Sequence, residues 1–89
     1  MRYVIAYDIS EDKRRKKVHE TLKSYGAWKE YSVFEVRLDD TTMLNLENKI
    51  KDIIDGDEDK VRIYPLCERC EKKIDDWGKD IPDVKKKVV

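Results

Sequence analysis

The sequence has no glutamine, one histidine, two cysteines, two prolines and three glycines among its 89 residues. The glycines, Gly26, Gly56 and Gly78, are isolated, so no glycine-rich loop is available to cradle phosphates. The cysteines form a single C-x-x-C, Cys67 and Cys70. A closed zinc site takes four soft ligands, and His19 is the only other one here. The pair is read as structural, leaving open a zinc site shared between two chains, a disulfide, and redox chemistry. His19 has no serine or cysteine placed by sequence to form a triad and is read as a helix-surface histidine. No apolar run approaches the roughly 18 residues of a membrane span. The apolar start, Tyr3 to Tyr7, is too short for a secretory signal, so a cytoplasmic chain is expected.

What is abundant is charge. Charged residues make up 45% of the chain, against about 25% in ordinary domains. The 20 basic and 20 acidic residues cancel. That balance argues against a uniformly polybasic nucleic-acid coat, but the distribution is uneven. Lys13, Arg14, Arg15, Lys16 and Lys17 are consecutive, whereas Asp52, Asp55, Asp57, Glu58 and Asp59 form an acidic stretch. Asp55, Asp57 and Asp59 imitate the start of a calcium loop. Lys60 stands where that loop needs glycine and Leu66 where it needs glutamate, which excludes it.

The apolar residues are clustered and periodic, as in a folded domain. Arg2 to Asp8 is a nearly continuous apolar run, predicting a strand buried on both faces. Ser10 fits a helix N-cap, and Val18, Leu22 and Tyr25 share one helical face, predicting a helix over Glu11 to Tyr25 stopped by Gly26. Trp28 to Leu38 reads as a second strand, with Phe34, Val36 and Leu38 on one face and Val33, Glu35 and Arg37 on the other. Asp39 to Thr42 is a turn and cap. Met43, Leu46, Ile50, Ile53 and Ile54 then mark a second helix ending near Asp55. Val61 to Leu66 is a third strand, with Pro65 restricting it to an edge. A further short strand is expected over Lys72 to Trp77. The tail beyond Gly78, with Ile81, Val84, Val88 and Val89, needs a partner surface.

This order gives most of a ferredoxin-like α+β unit, an antiparallel sheet with both helices on one face. The other face, carrying Val33, would be bare, and a second copy is expected to cover it. Residues 1–78 are read as one domain and 79–89 as a tail packing on the partner.

Two features carry candidate chemistry. Asp8 ends a buried strand, where a carboxylate serves either as a turn former or as a metal ligand. One carboxylate holds Mg²⁺ poorly, but a symmetric dimer would supply a second. The run Lys13 to Lys17 is either a solvated helix face or a phosphate-contacting one, with Arg14 and Arg15 offering bidentate forks.

Tyr7-Asp8-Ile9-Ser10, the charged helix start with Arg15, Val18, Leu22 and Gly26, the run Ser32-Val33-Phe34-Glu35, and the run Val61 to Leu66 together resemble the small CRISPR-associated endoribonuclease family. This is the smaller of the two core proteins of spacer acquisition, and the resemblance extends from Arg2 to about Gly78. It implies a ferredoxin-like (βαββαβ) fold and a homodimer with a C-terminal strand crossing to the partner. It also implies paired Asp8 carboxylates holding Mg²⁺ or Mn²⁺, and metal-dependent cleavage of single-stranded RNA or double-stranded DNA. A CRISPR integrase subunit is the implied protein partner. Asp8 is thereby the expected metal ligand and catalytic residue, with Tyr7, Ser32 and Phe34 beside it. Arg14, Arg15, Lys17 and Lys29 are the expected nucleic-acid contacts. Lys17 and Lys29 stand where some relatives have arginine, keeping the charge but losing the fork. The glutamine common before the Ser-Val-Phe run is replaced by Glu30 and Tyr31. The alternative is a nonenzymatic dimeric scaffold that binds duplex DNA and bridges integrase subunits.

Overall fold

The computed structural model describes residues 1–78. Its elements are β1 (Arg2–Asp8), α1 (Asp12–Lys23), β2 (Gly26–Glu30), β3 (Val33–Arg37), α2 (Asp40–Ile53), β4 (Lys60–Leu66) and a single-turn α3 (Glu68–Glu71). The strands form one antiparallel sheet in the order β2-β3-β1-β4. This is the ferredoxin-like arrangement expected from the sequence. Ile5, Tyr7, Phe34 and Val36 project from one sheet face. Val18 and Leu22 of α1 and Met43, Leu46 and Ile50 of α2 close over them to make the core. No helix among the described residues is long and apolar enough to cross a membrane.

The run expected as one strand from Trp28 to Leu38 is two strands joined by the two-residue turn Tyr31–Ser32. No glycine or asparagine marks the turn. Tyr31 instead adopts a φ of 40°, a region that side chains other than glycine, asparagine and aspartate rarely enter. Folding the run back sets Trp28 opposite Phe34 on the helix-facing side. The register shifts between Trp28 and Glu30, leaving Lys29 at a bulge.

Gly26 does not end the first helix, whose C-cap is Ser24. It opens β2, where a Cβ would collide with the Glu35 carbonyl and lie 2.5 Å from Val36 Cγ1. The N-cap of α1 is Glu11, whose carboxylate accepts the Arg14 N–H at 3.0 Å, because Ser10 is held elsewhere: its own N–H donates to Asp59 Oδ1. The first strand is buried on one face only. Ile5 and Tyr7 are enclosed, whereas Val4 and Ala6 stay half-buried on the face opposite the helices.

That second face carries Val4, Ala6, Val33 and the exposed Tyr64. The start of α3 turns the chain over one end of it. There Glu71 receives the guanidinium groups of Arg2 and Arg37, and Arg2 also donates Nε to Glu35 at 2.9 Å. Burial raises the Glu71 carboxyl, but the bonds from Arg37 and Arg2 hold it below the usual range. The strand expected over Lys72 to Trp77 is not formed: α3 precedes it, and turn and irregular chain follow, because none of these residues pairs with a sheet edge. The expected tail, residues 79–89, lies outside the described residues.

Candidate functional site

Alternation along β1 sends Tyr7 and Asp8 to opposite faces of the sheet. Asp8 is exposed at the strand end, opposite Lys60. Among the described residues its carboxylate has no hydrogen bond and no ion pair, so its oxygens are open to a hard cation. No group of three or more potential metal ligands exists among the described residues. Asp8 therefore offers a divalent ion one donor, and no cluster of the described residues supplies the rest.

Tyr7 turns toward the helices. Its hydroxyl lies 3.0 Å from His19 Nδ1, and its ring stacks on Phe34 at a centroid distance of 6.4 Å. Its backbone N–H donates to the Ser32 carbonyl at 3.1 Å, extending the β1–β3 ladder by one step into the turn. Burial pushes the Tyr7 phenol up; the positive charge of Arg15 and a bond from Ser32 oppose it. His19 sits edge-on against Phe34 and Trp28, at centroid distances of 5.0 and 6.0 Å. It is a structural neighbour of Tyr7 rather than a free surface group. Phe34 has no exposed surface, so it cannot stack on a nucleobase; it is the floor on which Tyr7 and His19 rest.

The basic run divides by helical rotation. Arg14 is held by carboxylates: its Nε donates to Asp59 at 2.8 Å, and its other nitrogens reach Glu58 and Glu11. A nucleic-acid contact at Arg14, expected from the sequence, would have to compete with these three carboxylates. Lys17, one turn further on, faces the same side with Lys13 and Asp52. Arg15 lies on another side. One Nη donates to the Ile9 carbonyl at 3.0 Å and the other pairs with Asp12, leaving the side chain 43% exposed.

An open groove is thus lined by Tyr7, Asp12, Arg15, Lys16, His19, Glu20, Tyr31 and Ser32. It unites three expected site residues, Tyr7, Arg15 and Ser32. It does not include Asp8, which the strand alternation places on the uncovered face, nor Lys29 at the β2 bulge. His19 and Tyr31 belong to the groove but were not singled out for it by the sequence. Nothing in the local pattern distinguishes Tyr31 from the strand residues around it.

Cys67 caps α3, its Sγ accepting the Cys70 N–H at 3.4 Å. That bond lowers the Cys67 thiol and, through its proximity, Cys67 raises that of Cys70. Both thiols are free and exposed.

The family described as CRISPR associated protein Cas2 matches residues 1–74. A CRISPR-associated endoribonuclease Cas2 of Methanospirillum hungatei is 49% identical over 83 residues, covering 93% of this chain and 92% of that protein. The fold matches a hypothetical protein of Thermus thermophilus with a TM-score of 0.80 at 35% identity, over 90% of this chain and 93% of that one. It also matches a chain of a partial Cas6-RT-Cas1–Cas2 complex, with a TM-score of 0.75 at 32% identity, over 99% of this chain and 97% of that one.

Proposed function

The chain belongs to the CRISPR-associated Cas2 family, and from that premise we propose that it is a metal-dependent endonuclease that works as a homodimer in spacer acquisition. The observation that carries this reading is the Asp8 carboxylate at the end of β1, which has no partner among the described residues and lies on the sheet face opposite α1 and α2. A second copy seated on that face brings a second Asp8 toward the first, which raises the donor count to two. A bound Mg²⁺ or Mn²⁺ supplies Lewis acidity for the phosphate and acidifies a water. The half-buried apolar residues Val4, Ala6 and Val33 give the second copy a surface that excludes solvent.

The reaction is phosphodiester hydrolysis. A water oxygen bonds to phosphorus, the bond from phosphorus to the leaving oxygen breaks, and the leaving oxygen takes up a proton. Arg15, in the groove on the helix side of the sheet, would contact a phosphate further along the strand rather than the one at Asp8. Ser32 and Tyr7 sit on the helix side of the same strand ends, where they keep the β1 terminus in register. The substrate of the proposed enzyme is single-stranded RNA, double-stranded DNA, or both. Cleavage of each, with Mg²⁺ or with EDTA, by the wild-type chain and Asp8→Asn tests this reading. Metal-stimulated cleavage that disappears in Asp8→Asn supports it; equal cleavage by both proteins overturns it.

A second reading draws on the likeness to the Cas1–Cas2-containing complex. Here the dimer is a scaffold that binds duplex DNA and bridges integrase subunits of the Cas1 kind. Salt-sensitive duplex binding that survives Asp8→Asn, with no cleavage by either protein, selects it.

A further inference from the structure

Tyr31 is 86% exposed, and the fold gains almost nothing from its ring. It nevertheless occupies a backbone position, φ 40°, that glycine or asparagine would hold with less strain. The position is rigid. The Tyr31 carbonyl accepts the Trp28 indole N–H at 2.8 Å, and the next carbonyl, that of Ser32, accepts the Tyr7 N–H. Both residues of the turn are therefore pinned to the sheet, and the ring is presented at the rim of the groove that holds Arg15 and Lys16.

We propose that Tyr31 is a stacking platform for one unpaired base of a single-stranded nucleic acid, with the adjoining phosphate on Lys16 and Arg15. An aromatic face with cations beside it is the combination that binds single strands without reading their sequence. Asp12 pairs with Arg15 and Glu20 offsets Lys16, so the groove has no net charge and stacking, rather than attraction, carries the contact. A duplex cannot use the platform, because its bases already stack on one another. This inference rests on the nucleic-acid reading above and narrows it to a strand with at least one open base. It also replaces Phe34, which is enclosed, with an exposed aromatic residue of the groove.

The test is fluorescence anisotropy of full-length wild type, Tyr31→Ala and Tyr31→Phe. The probes are a short single-stranded RNA, the same strand made abasic, and a duplex. The expected result is about tenfold weaker binding of the single strand by Tyr31→Ala. Tyr31→Phe restores it, and abasic strand and duplex bind the variants and wild type alike. Circular dichroism confirms the folded state of each. Unchanged single-strand affinity in Tyr31→Ala overturns the inference, as does an equal loss on all three probes. A wild type that binds no single strand also overturns it. The parent reading stands or falls separately, on whether metal-stimulated cleavage of RNA or duplex DNA requires Asp8.

Discussion

Arg14 and Asp59 are joined by a 2.8 Å bond from guanidinium Nε to carboxylate Oδ2, which closes the loop between α2 and β4 onto the first turn of α1. The same carboxylate accepts the N–H groups of Asp55, at 2.8 Å, and Ser10, at 3.2 Å. These contacts hold the Asp59 carboxyl at about 2, with the Arg14 bond the largest cause. An unfolded aspartate titrates near about 3.9. The folded state thus binds its proton less readily, and the contribution to stability is complete above about pH 4 and is lost as pH falls toward about 2. Asp59→Asn is expected to lower Tm by roughly 5–10 °C at neutral pH. The difference from wild type should narrow on acidification, as measured by calorimetry across that range.

Asp8 has no comparable partner among the described residues, so Asp8→Asn is expected to leave Tm within about 2 °C of wild type. Loss of cleavage in a variant of unchanged Tm would place the defect in the chemistry rather than in folding. A large fall in Tm would mean that the carboxylate supports the strand end.

The two adjacent arginines should part in a salt titration. Arg15→Ala is expected to weaken nucleic-acid binding and to reduce the dependence of log K on log salt by about 1. Arg14→Ala is expected to lower Tm while leaving that slope unchanged, because its guanidinium is already shared among Asp59, Glu58 and Glu11.

Gly26→Ala is expected to destabilise the protein by about 1–3 kcal/mol in urea denaturation. The added methyl meets the Glu35 carbonyl, which is backbone fixed in the β2–β3 ladder and has no rotamer with which to move aside.

The two aromatic residues near the turn should behave oppositely. Phe34→Ala opens a cavity beneath Tyr7 and His19 and is expected to cost about 3–5 kcal/mol. Tyr31→Asn suits the positive φ and is expected to hold or raise Tm while weakening single-strand binding. Thermal melts paired with anisotropy separate the two effects.

Periodicity made most of the framework legible. β1 falls on Arg2–Asp8 as read, α2 and β4 begin and end within a few residues of expectation, and the inward stripes Val18–Leu22 and Met43–Leu46–Ile50 are those of the core. The bare sheet face followed from the parity of Val33, and Asp8 at the strand end from the end of the apolar run. These are local properties: a strand repeats every two residues and a helix every 3.6, and side-chain polarity records which face is covered.

What the tertiary structure alone decided depends on residues far apart in the chain. The hairpin turn at Tyr31–Ser32 is hard to see locally, because no glycine or asparagine marks it and the pairing of Trp28 with Phe34 imposes it. Arg14 and Arg15 are chemically the same residue in sequence; one is consumed by Asp59, 45 positions later, and the other is left facing a groove. Phe34 and Tyr31 are two aromatics three positions apart, and only the packing of His19 and Tyr7 settles that the first is enclosed and the second is open. Charge and aromaticity can be read from a sequence, but whether they are available to a ligand depends on the partners that folding brings to them.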